Sequence, residues 1–374
     1  MSQFEPVQIS NGPLTLEVLP YGVTITAFSL KWGDRCQTHD LVIGPESPAE
    51  HQTQKYTNSI ANENPRVSLH GGPIAFDAVV WTKIDEPTLF TQAEVEKLKT
   101  LDPSAYAIFS LTSEDGDQGY PGKLVSETLI VLVSGAGVPT SAEQALGAVT
   151  IVYRAKLEDK KPIQHWGFNL NASLPSHETT IKSHTLNLAT DHLVVRDSDN
   201  FSSGYAPTSQ DAVHNHAGKA IGENYPEAGY DDYLLKKGAA DSAPTRISTE
   251  SFTPELDLVG NIIKPEYTRS IAELASSVSG LKLSFDSNQH GLMVYTNGLS
   301  NPSKGARKVA HGGSGVKDKG DSYGPGGEIY HRYHFPAPLH AFLNPEDKDG
   351  EDTLLTSDEC YHNFVRCTVS AVAK

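Results

Sequence analysis

The sequence predicts an all-β protein, a single large antiparallel β-sandwich with few short helices. Short β-branched runs recur along the chain, residues such as Gly, Pro, Asn and Asp separate them, and apolar and polar residues alternate within them. Helical patterns are scarce by comparison. A chain of 374 residues can bury a large core, and all-β folds of this size often remain undivided. We therefore expect one domain over residues 1–374.

The strand-like runs can be followed through most of the sequence. They are LTLEVLPYGVTITAFSL, KLVSETLIVLVSG, AVTIVYRAKL, TLNLATDHLVV, GLKLSFDSNQHGLMVYTNG and CYHNFVRCTVSAV. We find no fixed-period repeat, which disfavours propellers and solenoids. The acidic, glycine-rich segment SEDGDQGYPGKL resembles a hairpin turn. It resembles a calcium loop only weakly, because the ligand spacing of an EF-hand is absent.

Helices and long loops are few. The segment TQAEVEKLKTLDPSA has helical spacing at Val95, Leu98 and Leu101. It predicts a short connecting helix that Pro103 stops. Residues 198–224 and the Gly-, Lys- and Asp-rich residues 301–327 predict long surface loops. Loops of this length in a compact β protein are usually functional or poorly ordered.

The charge balance restricts the class of partner. A formal net charge of −16, from 30 Lys and Arg against 46 Asp and Glu, argues against nucleic acid or membrane surfaces and suits a neutral polar ligand. The first residues show neither the basic nor the apolar region of a secretory signal, so we expect none. No apolar run approaches the roughly 20 residues that span a bilayer. The chain has three cysteines, Cys36, Cys360 and Cys367, and no Cys-x-x-Cys pair. This pattern indicates reduced thiols and not disulfides or a zinc site. We expect a cytoplasmic protein of unknown oligomeric state.

Two histidines lie in segments that could serve a site. His70, in VSLHGGPIAFDAVVW, precedes two glycines that let a ligand approach the backbone. A histidine in a turn, hydrogen-bonded to the local backbone, explains this segment equally well. His165, in PIQHWGFNLNASL, could give a proton to a leaving oxygen and recover it. The adjacent Trp166 offers a ring face to the apolar side of a sugar. The alternative for His165 is a packed, hydrogen-bonded strand residue.

A pair of acids ends the first long loop. Asp231 and Asp232, in AGYDDYLL, stand just before a predicted strand. A carboxylate at this place could accept from two neighbouring sugar hydroxyls through its two oxygens. The alternative is an Asx-type turn, which aspartate forms readily.

Taken in order, six segments resemble the aldose 1-epimerase (galactose mutarotase) family. They are LPYGVTITAFSL, LHGG followed by FDAVVW, EDGDQGYPG, HWGFNL, GYDDYLL and LMVYTNG, and the similarity runs over nearly the whole chain. The resemblance implies a large antiparallel β-sandwich with a sugar in an open cleft. It also implies roles: His165 as the general acid, His70 as a second histidine in contact with the substrate, and Asp231 as the aspartate that binds sugar hydroxyls. No cofactor or metal is implied.

The chain departs from the family at two places. A Gly-Arg-x-x-Asn-Arg segment is expected between KYTNSI and LHGG, so the arginine that should contact the sugar is missing, and Arg66 is not an evident replacement. The family's catalytic glutamate is also missing from its strand. Depending on the alignment, Arg332, His331 or His334 of YHRYH takes its position, and arginine cannot act as a base because its pKa lies above about 12.

Glu328 lies close to that strand in YGPGGEIYHRYHFPAP. It is four residues before Arg332, roughly 13 Å along an extended strand, and could act as the base only if the strand bulges. A neutral His331 or His334 could accept the proton in its place. The remaining alternative is that no base is present and HRYH is a solvated strand end.

Three functions therefore stay open. The first is an aldose 1-epimerase that interconverts the anomers of a free hexose by acid/base ring opening. The second is a different isomerase or lyase that uses His165 together with His331 or His334, and the charge of Arg332, on an anionic ligand. The third is a carbohydrate-binding protein without turnover, in which Trp166, His70 and Asp231 still hold a sugar. The fold alone does not decide among them.

Overall fold

A computed structural model gives the fold. It describes residues 2–32, 37–53, 74–135, 143–157, 166–175, 180–198, 202–237, 243–298, 300–327, 329–332 and 355–372. Strands dominate these ranges, and they are β1 (Val7–Asn11), β2 (Leu14–Leu19), β3 (Thr24–Trp32), β4 (Gln37–Asp40), β5 (Thr82–Ile84), β6 (Tyr106–Ser113), β7 (Leu124–Ser134), β8 (Glu143–Leu157), β9 (Trp166–Phe168), β10 (Thr185–Leu188), β11 (Thr190–Arg196), β12 (Ser202–Pro207), β13 (Ala217–Ala220), β14 (Asp231–Lys236), β15 (Arg246–Ser248), β16 (Ala272–Ser276), β17 (Leu281–Ser287), β18 (Gly291–Tyr295), β19 (Ile329–Arg332) and β20 (Glu359–Val372). The described α-helices are α1 (Glu50–Thr53) and α2 (Gln92–Leu98).

The strands form three antiparallel sheets. One sheet has the order β1-β2-β3-β4, and a six-stranded sheet has the order β12-β11-β14-β18-β19-β9. A ten-stranded sheet has the order β13-β10-β16-β17-β20-β8-β7-β6-β5, with β15 paired to β20. This architecture confirms the predicted all-β class. That residues 1–374 form one domain stays a prediction.

The main hydrophobic core lies between the sheets. In β2, Leu14, Leu16 and Val18 are fully buried, and the residues between them are partly covered. The two-residue alternation read from the sequence thus marks the core-facing side of this strand. Phe168 of the six-stranded sheet meets Phe285 of the ten-stranded sheet in this core, with ring centroids 5.4 Å apart.

The ten-stranded sheet is covered on both faces along β7. Ile130 and Leu132 belong to the main core, whereas Leu129 and Val131 belong to a second cluster that also contains Leu98 of α2. The predicted alternation of apolar and polar residues is therefore wrong for β7. Its continuous apolar run is the pattern of a strand that is buried on both sides.

Helix α2 is fixed at its first turn. The Thr91 hydroxyl accepts from the backbone N–H of Glu94, and the Glu94 carboxylate accepts from the backbone N–H of Thr91, which forms a capping box. The same carboxylate pairs with Arg154 of β8 at 2.6 Å, and both side chains are completely buried. The ion pair therefore attaches the helix to the ten-stranded sheet.

The structure corrects two details of the predicted connections. The predicted helix exists, but it ends at Leu98, and Pro103 opens a separate 3₁₀ turn, Pro103–Ala105, so the proline does not stop it. Residues 198–224 are not one loop, because β12 and β13 form within them. The hairpin prediction for SEDGDQGYPGKL is confirmed, since Ser113 of β6 pairs with Leu124 of β7 across it.

Candidate active site

The six-stranded sheet brings together several segments from which the sequence predicts a sugar site. Strands β14, β18, β19 and β9 lie side by side. The backbone register places Asp231, Tyr295, Tyr330 and Gly167 in one row across these four strands. Three inter-strand steps of about 4.8 Å set Asp231 about 14 Å from Gly167. That separation leaves room for a six-membered ring with a side chain reaching it from each side.

The two following rows contain the other predicted residues of this sheet. The next row consists of Asp232, Val294, His331 and Trp166. The row after it consists of Tyr233, Met293 and Arg332. His331 is thus directly paired with the first residue of β9, and Arg332 lies two rows from Asp231. The structure describes the backbone positions of Trp166, His331 and Arg332.

Four predicted residues lie outside the described ranges. They are His70, His165, Glu328 and His334. In the sequence, His165 directly precedes β9, and Glu328 directly precedes β19. Their roles stay predictions.

Asp231 is the first residue of β14, and its side chain is 52% exposed. Its backbone N–H donates to Asp232 Oδ2 at 3.2 Å. Arg196 at the end of β11 donates to the backbone carbonyl of Asp231, and its Nη1 lies 3.6 Å from Asp231 Oδ2. Sequence reasoning missed Arg196, because it belongs to no motif and lies 35 residues away along the chain.

A histidine held between two carboxylates supports the start of β14. His214 Nδ1 is 2.7 Å from Asp211 Oδ2, and its Nε2 is 3.4 Å from Asp232 Oδ2. The hydrogen bond with Asp232 is the main cause that raises the pKa of His214; burial opposes the rise, and Asp211 adds to it. Because Asp232 also accepts from the N–H of Asp231, this histidine helps to fix the backbone of Asp231, the residue predicted to bind the sugar.

Asn169 connects the strand that follows His165 to the strand that follows Glu328. Its side chain is fully buried, and its Nδ2 donates to the carbonyl of Gly327 at 2.8 Å. Its Oδ1 accepts from the backbone N–H of Asn171 at 3.0 Å. A buried amide with both ends bonded holds the end of β9 against the entry to β19.

The glycine-rich loop of residues 301–327 is anchored by a buried lysine. Lys308 Nζ donates to Asp40 Oδ2 at 2.5 Å and to the backbone carbonyls of Thr26 and Val42 at 2.5 and 2.6 Å. The side chains of Lys308 and Asp40 are 8% and 9% exposed. The prediction of a loop is confirmed, but the loop is attached to the four-stranded sheet by an ion pair.

His311 makes a second attachment of the same loop. Its Nε2 is 2.9 Å from the carbonyl of Asp40, and its Nδ1 is 2.6 Å from the Tyr323 hydroxyl. Since a carbonyl can only accept, Nε2 carries the proton, and Nδ1 accepts from the hydroxyl. Burial is the main cause that lowers the pKa of His311 to about 4, so the ring is neutral near pH 7.

The described cysteines and carboxylates give no sign of a metal centre. Among the described residues, no group of three or more His, Cys, Asp or Glu side chains could hold a metal ion. Cys360 and Cys367 are buried free thiols, and burial raises the pKa of both, that of Cys360 to about 11. Cys36 lies outside the described residues. Within the described ranges, neither helix reaches the length and apolar character that a membrane span requires.

Comparison with known proteins agrees with this architecture. No family model matches the chain. Galactose mutarotase from Bos taurus is 28% identical over 211 residues, which cover 48% of this chain and 52% of that protein. Aldose 1-epimerase from Escherichia coli (strain K12) is 23% identical over 208 residues, which cover 49% of this chain and 51% of that protein. The chain thus spans about half the length of the curated relatives it matches.

A solved structure extends the likeness over the full fold. The GalM/aldose epimerase homologue from C. elegans superposes with a TM-score of 0.67 at 16% identity, and the match covers 98% of this chain and 99% of that one. The fold is therefore a galactose mutarotase-like β-sandwich. The sequence matches, to proteins named galactose mutarotase and aldose 1-epimerase, agree with the resemblance that the six sequence segments indicated.

Proposed function

We propose that this protein is an aldose 1-epimerase that interconverts the α and β anomers of a free hexose. The observation that carries the proposal is the row that joins Asp231 on β14 to Gly167 on β9 through β19. In this row the predicted sugar-binding carboxylate is three inter-strand steps from β9, the strand that follows His165, the predicted acid. The named activities of the relatives are of this kind.

The proposed reaction is a pair of proton transfers. His165, as an imidazolium, donates a proton to the ring oxygen while a base removes the proton of the anomeric hydroxyl. The bond between the anomeric carbon and the ring oxygen breaks, and the open chain carries an aldehyde. Rotation of that carbonyl followed by the reverse transfers closes the ring as the other anomer. Proton transfer of this kind requires neither a metal nor a cofactor.

The base is proposed to come from β19 or its immediate neighbours. Glu328 stands two positions before Tyr330, which shares a row with Asp231, and His331 is paired with Trp166, the residue after His165. The two candidates differ in pKa: an unperturbed glutamate titrates near about 4.3 and a histidine near about 6.5. The pH at which the rate falls on the acidic side of the pH–rate profile therefore distinguishes Glu328 from His331 as the base.

The test is the rate of anomer exchange of D-galactose and D-glucose, measured by polarimetry or NMR exchange. We expect the protein to raise the rate above that in buffer, and His165→Asn to lower it by roughly 10²–10⁴-fold. One of Glu328→Gln and His331→Asn should cause a similar loss, and the other should not. A rate equal to that in buffer would refute the proposal.

A second candidate is sugar binding without turnover. It is favoured by the composition of β19, whose residues Ile329, Tyr330, His331 and Arg332 include no carboxylate. Calorimetry that shows aldose binding together with an unchanged exchange rate would select it. Preferential binding of an acidic or phosphorylated sugar, lost in Arg332→Ala, would instead indicate different chemistry on an anionic ligand. The ligand proposed here is in every case a small carbohydrate or sugar derivative.

A further inference from the structure

The carboxylate predicted to bind the sugar has a cationic neighbour. Arg196 Nη1 is 3.6 Å from Asp231 Oδ2, and the guanidinium also donates to the Asp231 carbonyl. The Arg196 side chain is 26% exposed and that of Asp231 is 52% exposed. Both charged groups are therefore accessible to a small ligand from solvent.

We propose that Arg196 is a substrate-binding residue that recognises, together with Asp231, one hydroxyl of the sugar. This inference rests on the proposed function. A hydroxyl has one donor and two acceptor lone pairs, whereas a carboxylate only accepts and a guanidinium only donates. A hydroxyl between the two groups donates to Asp231 and accepts from Arg196, so both charged groups gain a hydrogen bond. An ether or a deoxygenated carbon at that position cannot do so.

The Arg196 guanidinium and the backbone of Asp231 are held in place before the ligand binds. Strands β11 and β14 are hydrogen-bonded neighbours, with Leu193 opposite Leu234. The bond from Arg196 to the Asp231 carbonyl fixes the guanidinium independently of the carboxylate, and the Asp231 N–H is bonded to Asp232. The guanidinium therefore loses little side-chain freedom on binding, which favours affinity.

The pair also defines the class of ligand at this position. The charges of Arg196 and Asp231 balance each other, so a neutral hydroxyl fits between them without leaving either charge unpaired. A ligand carboxylate or phosphate at the same place would be repelled by Asp231 and would compete with it for the guanidinium. We therefore assign a neutral sugar carbon bearing a free hydroxyl to this position.

The experiment is a cycle that combines protein variants with modified ligands. Dissociation constants of D-galactose and its 2-, 3-, 4- and 6-deoxy derivatives are measured by calorimetry for the wild type, Arg196→Met and Asp231→Ala. Arg246→Met is the matched control: Arg246 is 3.6 Å from Glu359 and 26% exposed, but it belongs to the ten-stranded sheet. Cycles of this form isolate the interaction of one residue with one hydroxyl.

We expect one deoxy derivative to bind the wild type roughly ten- to a hundredfold more weakly than D-galactose, as for a hydrogen bond to a charged group. In Arg196→Met, D-galactose itself should weaken by a similar factor, and removal of that same hydroxyl should have no further effect. Asp231→Ala should show the same dependence on the same hydroxyl. Arg246→Met should bind like the wild type.

Two results would overturn the assignment. Unchanged D-galactose binding by Arg196→Met would show that the contact with Asp231 is a surface ion pair of little consequence. Sensitivity of Arg196→Met and Asp231→Ala to different hydroxyls would show that they do not share one. If either result comes with normal anomer exchange, the proposed function stands and this inference alone fails. If the wild type neither accelerates anomer exchange nor binds an aldose, the proposed function and this inference are both refuted.

Discussion

Replacing Lys308 by Met removes the charge that anchors the glycine-rich loop. The ammonium group has three N–H donors, and the structure gives it three acceptors at 2.5–2.6 Å, two of them backbone carbonyls and the third Asp40. The Met side chain preserves most of the volume but leaves those acceptors without this donor. Breaking a buried ion pair by removal of one partner costs about 3–5 kcal/mol. Asp40 Oδ1 still accepts from the N–H groups of Phe28 and Val42, which favours the lower half of this range.

Urea unfolding followed by tryptophan fluorescence measures this effect. A loss of about 3 kcal/mol is a large part of the 5–15 kcal/mol by which typical domains are stable, so the midpoint should fall clearly. Lys304→Met in the same loop is the control, since Lys304 is exposed. A loss below about 1 kcal/mol for Lys308→Met would match an exposed pair and refute the reasoning.

Two further predictions concern Asn169 and the buried histidines. Asn169→Leu should destabilise the protein by about 2–4 kcal/mol, because the Gly327 carbonyl and the Asn171 N–H lose buried partners. Hydrogen exchange of the β19 backbone amides should be faster in Asn169→Leu than in the wild type. It should be unchanged in Asn301→Leu, a control at an exposed position of the glycine-rich loop. Burial lowers the pKa of His184 and His311 to about 4, below an unfolded value near about 6.5, so the unfolded chain binds more protons between these values and stability falls as the pH falls. From pH 7 to pH 5 we expect each histidine to lower the free energy of unfolding by about 2 kcal/mol. Urea titrations of His311→Gln should therefore show a smaller loss of stability over that range than the wild type. An equal loss would contradict the lowered pKa of His311.

Much of the fold follows from local patterns in the sequence. The alternation of Leu14, Leu16 and Val18 predicted β2, and the acidic glycine-rich segment after Ser113 predicted a hairpin, because each signal depends on neighbours in the chain. Burial of β7 on both faces was not predicted, since it depends on α2 and on residues 243–267, which cover the second face from elsewhere in the chain.

The candidate site was only partly predictable. Asp231 was found through a motif, and the structure places it in a row with β19 and β9. Arg196 and His214 were missed because each reaches the start of β14 through tertiary packing, which leaves no periodic signal in the sequence. Lys308 lies in a Lys- and Gly-rich stretch that is typical of solvated loops, and its partner Asp40 is 268 residues away.

The position of β20 has a consequence for biosynthesis. This strand lies between β17 and β8 and pairs with both, so it joins the two halves of the ten-stranded sheet, yet it follows every other described strand along the chain. A nascent chain therefore presents β8 and β17 as unpaired edges until residues 359–372 have left the ribosome, and such edges are prone to pair with other chains. Completion of this sheet accordingly follows the synthesis of its other described strands, and protection of those two edges by chaperones would matter most just before residues 359–372 emerge.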